Sequence, residues 1–250
     1  MLDNNINDGA LIIFAKYPDP KTVKTRLSPL LNESERVELY IKMLNGTIEK
    51  FGNLNGIDSF IFYTPMESGE YFEQFGLNTF PQAGLYQVAF RSRTRRLYSL
   101  VGWQGGNDAD VLLCTLRSGR RSQRSYTIER NLVLDIGQRM YHAINLLNTI
   151  GYEKVSVIGT DIPDLEGQTI YEAFEQLELH DIVIGPAMDG GYYLIGMKAA
   201  DIRVFTDISW STGKVLSQTI KIIESLGLNH YLLKTYRDID RPDDLKYCYF

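Results

Sequence analysis

Cysteine is nearly missing from this sequence. Cys114 and Cys248 stand far apart and form no CxxC pair, which excludes a disulfide scaffold or a cysteine zinc site and fits a reducing, cytoplasmic setting. Histidine is equally scarce, and His142, His180 and His230 have no ligand spacing. No serine lies in a GxSxG elbow, which leaves no case for that type of hydrolase. GxGxxG and GxxxxGK[ST] are both absent, so neither a dinucleotide fingerprint nor a P-loop is present. No apolar run approaches the ~20 residues of a membrane span. The opening MLDNNINDG is polar and acidic, unlike a signal or transit peptide.

What is present is an ordinary globular composition, 44% hydrophobic and 23% charged over 250 residues. That length suits one large α/β domain or two small ones. The net charge of −5 hides an asymmetry. Residues 91–130 hold nine Arg, three acids and no Lys, a net +6, and the rest of the chain carries −11.

Apolar runs bounded by turn residues predict buried strands in ALIIFAK (Ala10 to Lys16), DSFIFYT, KVSVIGT, DIVIGP, YYLIGM (Tyr192 to Met197) and HYLLKTY. Asn32 followed by Glu35 predicts a capping box, and Val37, Tyr40, Leu44, Ile48 and Phe51 then line one helical face. GQRMYHAINLLNTIG predicts a second helix stopped by Gly151. STGKVLSQTIKIIESLG predicts a third with a Ser or Thr cap, and IDRPDDLKYC a short one capped by Asp240. Strands alternating with helices imply an α/β fold with a mostly parallel central sheet flanked by helices on both faces. Ligands of such sheets bind outside the carboxyl ends of the strands.

Several charged motifs fall at those ends. In YPDPKTVKTRL, after the first strand, Lys21, Lys24, Thr25 and Arg26 place three cations and a hydroxyl at a helix start, which suits phosphate or a plain solvated turn. In VIGTDIPDL, Asp161 follows a buried strand and is placed to hold Mg²⁺ or Mn²⁺ beside a diphosphate, with Asp164 assisting it or capping the following helix, and both acids also read as plain turn and cap residues. In GPAMDGGYYLIG, Asp189, Gly190 and Gly191 read both as a hairpin turn and as a pocket rim where missing side chains bring backbone and Asp189 against a ligand. Trp210 in DISWST is either a stacking platform for a sugar or base or a plug at the core edge. Asp238 and Asp240 in RDIDRPDDL follow the last strand and can reach the same place.

In this order, FAKYPDPKTVKTRL, LDIGQRM, VIGTDIPDL, GPAMDGGYYLIG, FTDISWST and DIDRPDDL resemble one bacterial family of GT-A-fold, glycosyltransferase-like proteins. The family falls in the nucleotide-diphospho-sugar transferase superfamily, and some members are associated with arsenosugar biosynthesis. The resemblance covers residues 9–84 and 132–246. It implies a single GT-A-like domain over 1–250 and a metal-dependent transferase that passes the sugar of a nucleotide sugar to a small-molecule acceptor, releasing the nucleotide. Lys24, Thr25, Arg26 and Arg139 would serve the nucleotide and its phosphates, Asp161 a Mg²⁺ or Mn²⁺ ion, and Asp189 the acceptor or a second metal. Gly190, Gly191, Trp210, Asp238 and Asp240 would line the pocket. Two rivals stand beside this expectation: a nucleotidyltransferase releasing pyrophosphate from an NTP, and a catalytically silent nucleotide-sugar binder.

Two departures from the family pattern matter. Lys21 stands where the family has the glycine of a PxPG turn, so a positive φ there would be strained. The family runs from PQ-x-G directly into DLGxRM, whereas here 49 residues separate Gly84 from Leu134. This Arg-rich insertion, at about 85–131, reads as a poorly ordered segment. A mobile lid and foreign coding are the other readings, and nucleic-acid binding is disfavoured by the acidic remainder of the protein.

Overall fold

The structure is a computed structural model that describes residues 7–82 and 134–248, with the backbone of four short strands between them. Strand β1 (Gly9–Lys16) explains the layering. Its alternate side chains face opposite ways. Leu11, Ile13 and Ala15 enter one core, and Ala10 and Ile12 enter another. A strand this apolar on both faces belongs in the middle of a covered sheet.

The first face is covered by α1 (Glu33–Phe51), which follows β1 and leads to β2 (Ile57–Thr64), and by α2 (Gly69–Glu73), which leads to β3 (Asn78–Pro81). The predicted capping box of α1 is present: the Asn32 side chain accepts from the Glu35 N–H, and the Glu35 carboxylate accepts from the Asn32 N–H. Between β3 and α3 lie β4 (Tyr86–Val88), β5 (Ser99–Trp103), β6 (Cys114–Arg117) and β7 (Gln123–Ile128), which pair as a separate antiparallel sheet in the order β4-β7-β6-β5. These strands fall within the Arg-rich insertion at about 85–131. The rest of that segment lies outside the described residues.

Helix α3 (Ile136–Ile150) covers the second face and stops at Gly151, whose φ of 117° closes the helix in the left-handed region. It leads into β8 (Lys154–Ile158). Helix α4 (Gly167–Leu179) returns to the first face, followed by the hairpin of β9 (Ile182–Pro186) and β10 (Tyr192–Met197). Helix α5 (Val215–Ser225) on the second face and β11 (His230–Leu232) complete the fold.

The main sheet runs β11-β9-β10-β8-β1-β2-β3. Every neighbouring pair is parallel except those made by β10 with β8 and β9. From β1 the chain winds outward to β2 and β3, then returns to lay β8 on the other side of β1. In such sheets the loops diverge at this reversal, and ligands bind at the carboxyl edge there.

Helix α4 is the helix expected after Asp164, and Ile170, Ala173, Phe174 and Leu177 form its buried stripe. Three expectations about helix caps are corrected. Helix α5 has no side-chain cap: Lys214 is its N-cap residue, and Thr212 Oγ1 donates to the Ser209 carbonyl at 2.7 Å. Arg241, not Asp240, is the N-cap of the 3₁₀ turn Pro242–Tyr247, because Asp244 accepts from the Arg241 N–H at 2.8 Å and Asp240 is engaged elsewhere. Asp164 likewise caps nothing, since Glu166 precedes α4.

Candidate functional site at the carboxyl edge

The loop after β1 is organised by Asp19. Its carbonyl accepts from the Thr22 and Val23 N–H groups, and its carboxylate accepts from the Lys21 N–H at 2.9 Å. The left-handed residue expected at Lys21 is instead Lys24, with φ 49° and ψ 35°. This turn drives the Lys24 side chain inward, where it is only 3% exposed. Its ammonium lies 2.9 Å from Asp161 Oδ1 and donates to the Ile239 carbonyl at 2.5 Å. Asp161 stands three residues beyond β8, and its own carbonyl accepts from the Ile239 N–H at 2.9 Å. Lys24 therefore ties together the loops after β1 and β8 and the C-terminal segment, across the reversal point. Two of its three ammonium protons are so used.

Arg26, two residues on, stays half exposed and pairs with Asp240 at 2.5 Å. Thr25 is exposed beside it. Asp240 holds the guanidinium above its ordinary pKa, with smaller contributions from Asp189 and Asp238.

The β9–β10 turn supplies Asp189. The Ala187 N–H donates to the Gly191 carbonyl at 3.0 Å and the Gly190 N–H to the Ala187 carbonyl at 3.1 Å. Gly190 has φ +89°, and a Cβ there would lie 2.4 Å from the Gly213 carbonyl oxygen. The missing side chain at Gly190 admits the loop before α5. At Gly191 the nearest group is the Asp189 carboxylate, which accepts from the Gly191 N–H at 2.8 Å. The turn thus holds an exposed carboxylate in a fixed pose. Asp238 completes the group. Burial pushes its carboxyl up to about 6, and Asp189, Asp240 and Asp161 push the same way. Asp189, Asp238 and Asp240 line an open cavity of about 290 Å³ with Met188, Arg237, Arg241 and Asp244. Arg237 and Asp244 pair at 3.2 Å across it.

Arg139 stands apart from this cluster. It lies in the first turn of α3, and its guanidinium donates to Gln82 Oε1 at 3.3 Å, just past the end of β3. Trp210 lies half-buried at the core edge: it meets Tyr192 edge-on at 6.4 Å and packs so closely over Gly137 that a Cβ there would lie 2.3 Å from its ring.

Among the described residues no three acidic, histidine or cysteine side chains converge closely enough to hold a metal by themselves. Asp161 nonetheless fits one role. Its side chain is 46% exposed, and Lys24 occupies only Oδ1. Magnesium commonly takes one or two carboxylates, with water and substrate phosphates completing its shell. Sequence reasoning missed Gln82, Arg237 and Arg241. Gln82 was visible only as a polar residue at the end of a strand, and the two arginines only as neighbours of Asp238 and Asp240.

The comparisons with known proteins agree with this architecture. A family model described as "Uncharacterized protein conserved in bacteria (DUF2064)" matches residues 98–212. No curated protein matches the chain. A solved structure described as a "putative nucleotide-diphospho-sugar transferase" from Desulfovibrio desulfuricans is 26% identical, with 98% of this chain and 87% of that one covered and a TM-score of 0.73. CMP:2-keto-3-deoxy-manno-octonic acid synthetase complexed with CTP is 10% identical, with 96% of each chain covered and a TM-score of 0.51. A cytidylyltransferase from Leptospira borgpetersenii serovar Hardjo-bovis is 9% identical, with 97% and 85% covered and a TM-score of 0.50. These two share the fold alone. The sheet order and the first of these structures uphold the fold that the motifs implied: the chain has a GT-A-like fold and is similar to a nucleotide-diphospho-sugar transferase.

Proposed function

We propose that the protein is a metal-dependent transferase that takes a nucleotide-activated sugar as donor and passes the sugar to a small-molecule acceptor. The observation that carries this reading is the pairing of Lys24 with Asp161 and of Arg26 with Asp240, side by side where the loops diverge at the carboxyl edge. Transfer leaves a nucleoside diphosphate, and fixed charges aimed at a leaving group of this kind are usually the largest catalytic contribution.

Arg26 is half exposed and has N–H groups beyond the one given to Asp240, so it can meet diphosphate oxygens directly. Lys24 is buried and pre-oriented, and it offers its remaining proton with no side-chain freedom left to lose. Asp161 would hold Mg²⁺ or Mn²⁺ through the oxygen that Lys24 does not occupy. Such an ion, when bound, neutralises charge developing on the leaving diphosphate. Asp189, exposed and braced by the Gly191 N–H, is the base for an acceptor hydroxyl if the reaction inverts. The cavity beside it takes the acceptor, between Met188 and Asp238. Arg139 serves the nucleotide from the β3 side.

A thermal-shift panel of UDP-, GDP-, CDP- and ADP-sugars, with and without Mn²⁺, tests the reading, because a ligand of the folded state raises its apparent stability. One nucleotide class should raise the melting temperature, and Mn²⁺ should enlarge the shift. Pyrophosphate release from an NTP would assign nucleotidyl transfer instead. No shift with any nucleotide sugar would overturn the proposal.

A further inference from the structure

We propose that Gln82 is a positioning residue that presents Arg139, as a cation with no carboxylate partner, to an anionic group of the donor nucleotide at the carboxyl ends of β1, β2 and β3. This rests on the nucleotide-activated donor proposed above, and it adds an anion contact separate from the Lys24 and Arg26 loop.

Gln82 is 6% exposed. Its Nε2 donates to the Phe62 carbonyl at 2.7 Å and to the Ala15 carbonyl at 3.2 Å, and its backbone N–H donates to the Tyr63 carbonyl at 2.6 Å. Both partners of the amide nitrogen are acceptors, so a flipped amide would set oxygen against oxygen. The orientation is therefore determined by the network. Oε1 is left pointing at the Arg139 guanidinium, 3.3 Å away.

The other acceptor among the described residues is also uncharged. Arg139 Nε donates to the Asp135 backbone carbonyl at 3.4 Å. The Asp135 carboxylate is occupied in the α3 capping box, accepting from the Gln138 N–H at 2.8 Å. Among the described residues no carboxylate pairs with Arg139. Burial lowers its pKa, opposed only by the more distant charge of Asp135.

A half-buried cation held by neutral acceptors loses hydration without the compensation of an ion pair. It keeps its full charge and its unused donors for a ligand. A carboxylate at position 82 would hold the arginine in place but cancel that charge. A neutral amide, locked by backbone, orients it and leaves the charge available. Phosphate and carboxylate groups match a guanidinium fork in geometry.

The test is a double-mutant cycle on the full chain, read by calorimetric titration with UDP, GDP, CDP and ADP in the presence of Mn²⁺. Melting temperature is followed throughout to confirm folding. Arg139→Gln should weaken the tightest-binding nucleotide by about tenfold or more, the range of a charge-assisted hydrogen bond. Gln82→Leu should weaken it by roughly threefold to tenfold in the wild-type background and not at all in the Arg139→Gln background. If Gln82→Leu does not fold, Gln82→Met stands in, being unbranched and closer in shape.

Independent, additive effects would overturn the inference and leave the proposed function standing. So would an Arg139→Gln variant that binds like wild type. Failure of all four nucleotides to bind the wild-type protein would overturn both.

Discussion

Replacing Gly190 by alanine tests the β9–β10 turn as the mount for Asp189. Two costs coincide at this position. The φ of +89° lies in a region that an L residue adopts only with strain of about 1–2 kcal/mol. The new Cβ would also stand 2.4 Å from the Gly213 carbonyl oxygen and 2.8 Å from the Gly213 Cα, both backbone atoms that cannot rotate away. Overpacking of this kind costs about 1–3 kcal/mol. Together they predict a loss of about 2–5 kcal/mol. In a chain of this size each kcal/mol moves the melting temperature by roughly 2–4 °C, so thermal unfolding should fall by roughly 5–20 °C.

Gly191→Ala is the matched control. No positive φ is required there, and its Cβ would meet only Asp189 Oδ1, at 3.1 Å, the movable end of a side chain. It should leave the melting temperature within roughly 1–2 °C of wild type while displacing the Asp189 carboxylate, and so lower turnover without weakening nucleotide binding. Equal melting temperatures for the two variants, measured by calorimetry or by circular dichroism, would refute the reasoning about the turn.

The remaining predictions concern the charged groups. Asp238→Asn should stabilise the ligand-free protein at pH 8 and progressively less as pH falls. Folding raises this carboxyl from 3.8 to about 6, so its favourable contribution is present in acid and is lost as pH rises through about 6. A shift of that size would correspond to about 3 kcal/mol if fully desolvated. Solvent screening of this half-buried group reduces it to on the order of 1 kcal/mol, and a pH-independent difference in urea denaturation would contradict the assignment. Lys24→Met should cost about 1–3 kcal/mol of stability, because it strips the Ile239 carbonyl of its buried donor, and should also abolish nucleotide binding. Arg26→Ala should cost less than about 1 kcal/mol, as exposed pairs do, yet weaken nucleotide binding roughly tenfold; equal stability losses for these two variants would show that burial does not separate their roles.

Much of the fold was legible because its signals are local. The alternation of β1, the capping box of Asn32 and Glu35 and the Gly151 stop each reside within a few residues, and all are present in the structure. Helix α4 was equally local, and its stripe of Ile170, Ala173, Phe174 and Leu177 shows the same spacing that identified α1. The site was legible in part. Asp161 and Asp189 could be placed just beyond buried runs, and Lys24 and Arg26 just beyond β1. The burial of Lys24 could not be read, since an isolated lysine carries no mark of a partner 137 positions away. Nor could the role of Gly190, whose neighbour Gly213 approaches from another loop.

The chain alone determined its layers and the edge where charge would collect, because side-chain periodicity follows directly from backbone geometry. Which charges would meet was decided only in three dimensions. Winding out from β1 and back to β8 brings Lys24 to Asp161, Arg26 to Asp240 and Gln82 to Arg139. Contacts between residues so distant in the chain depend on strand order, on loop closure and on the desolvation of every neighbouring group, none of which a local pattern encodes.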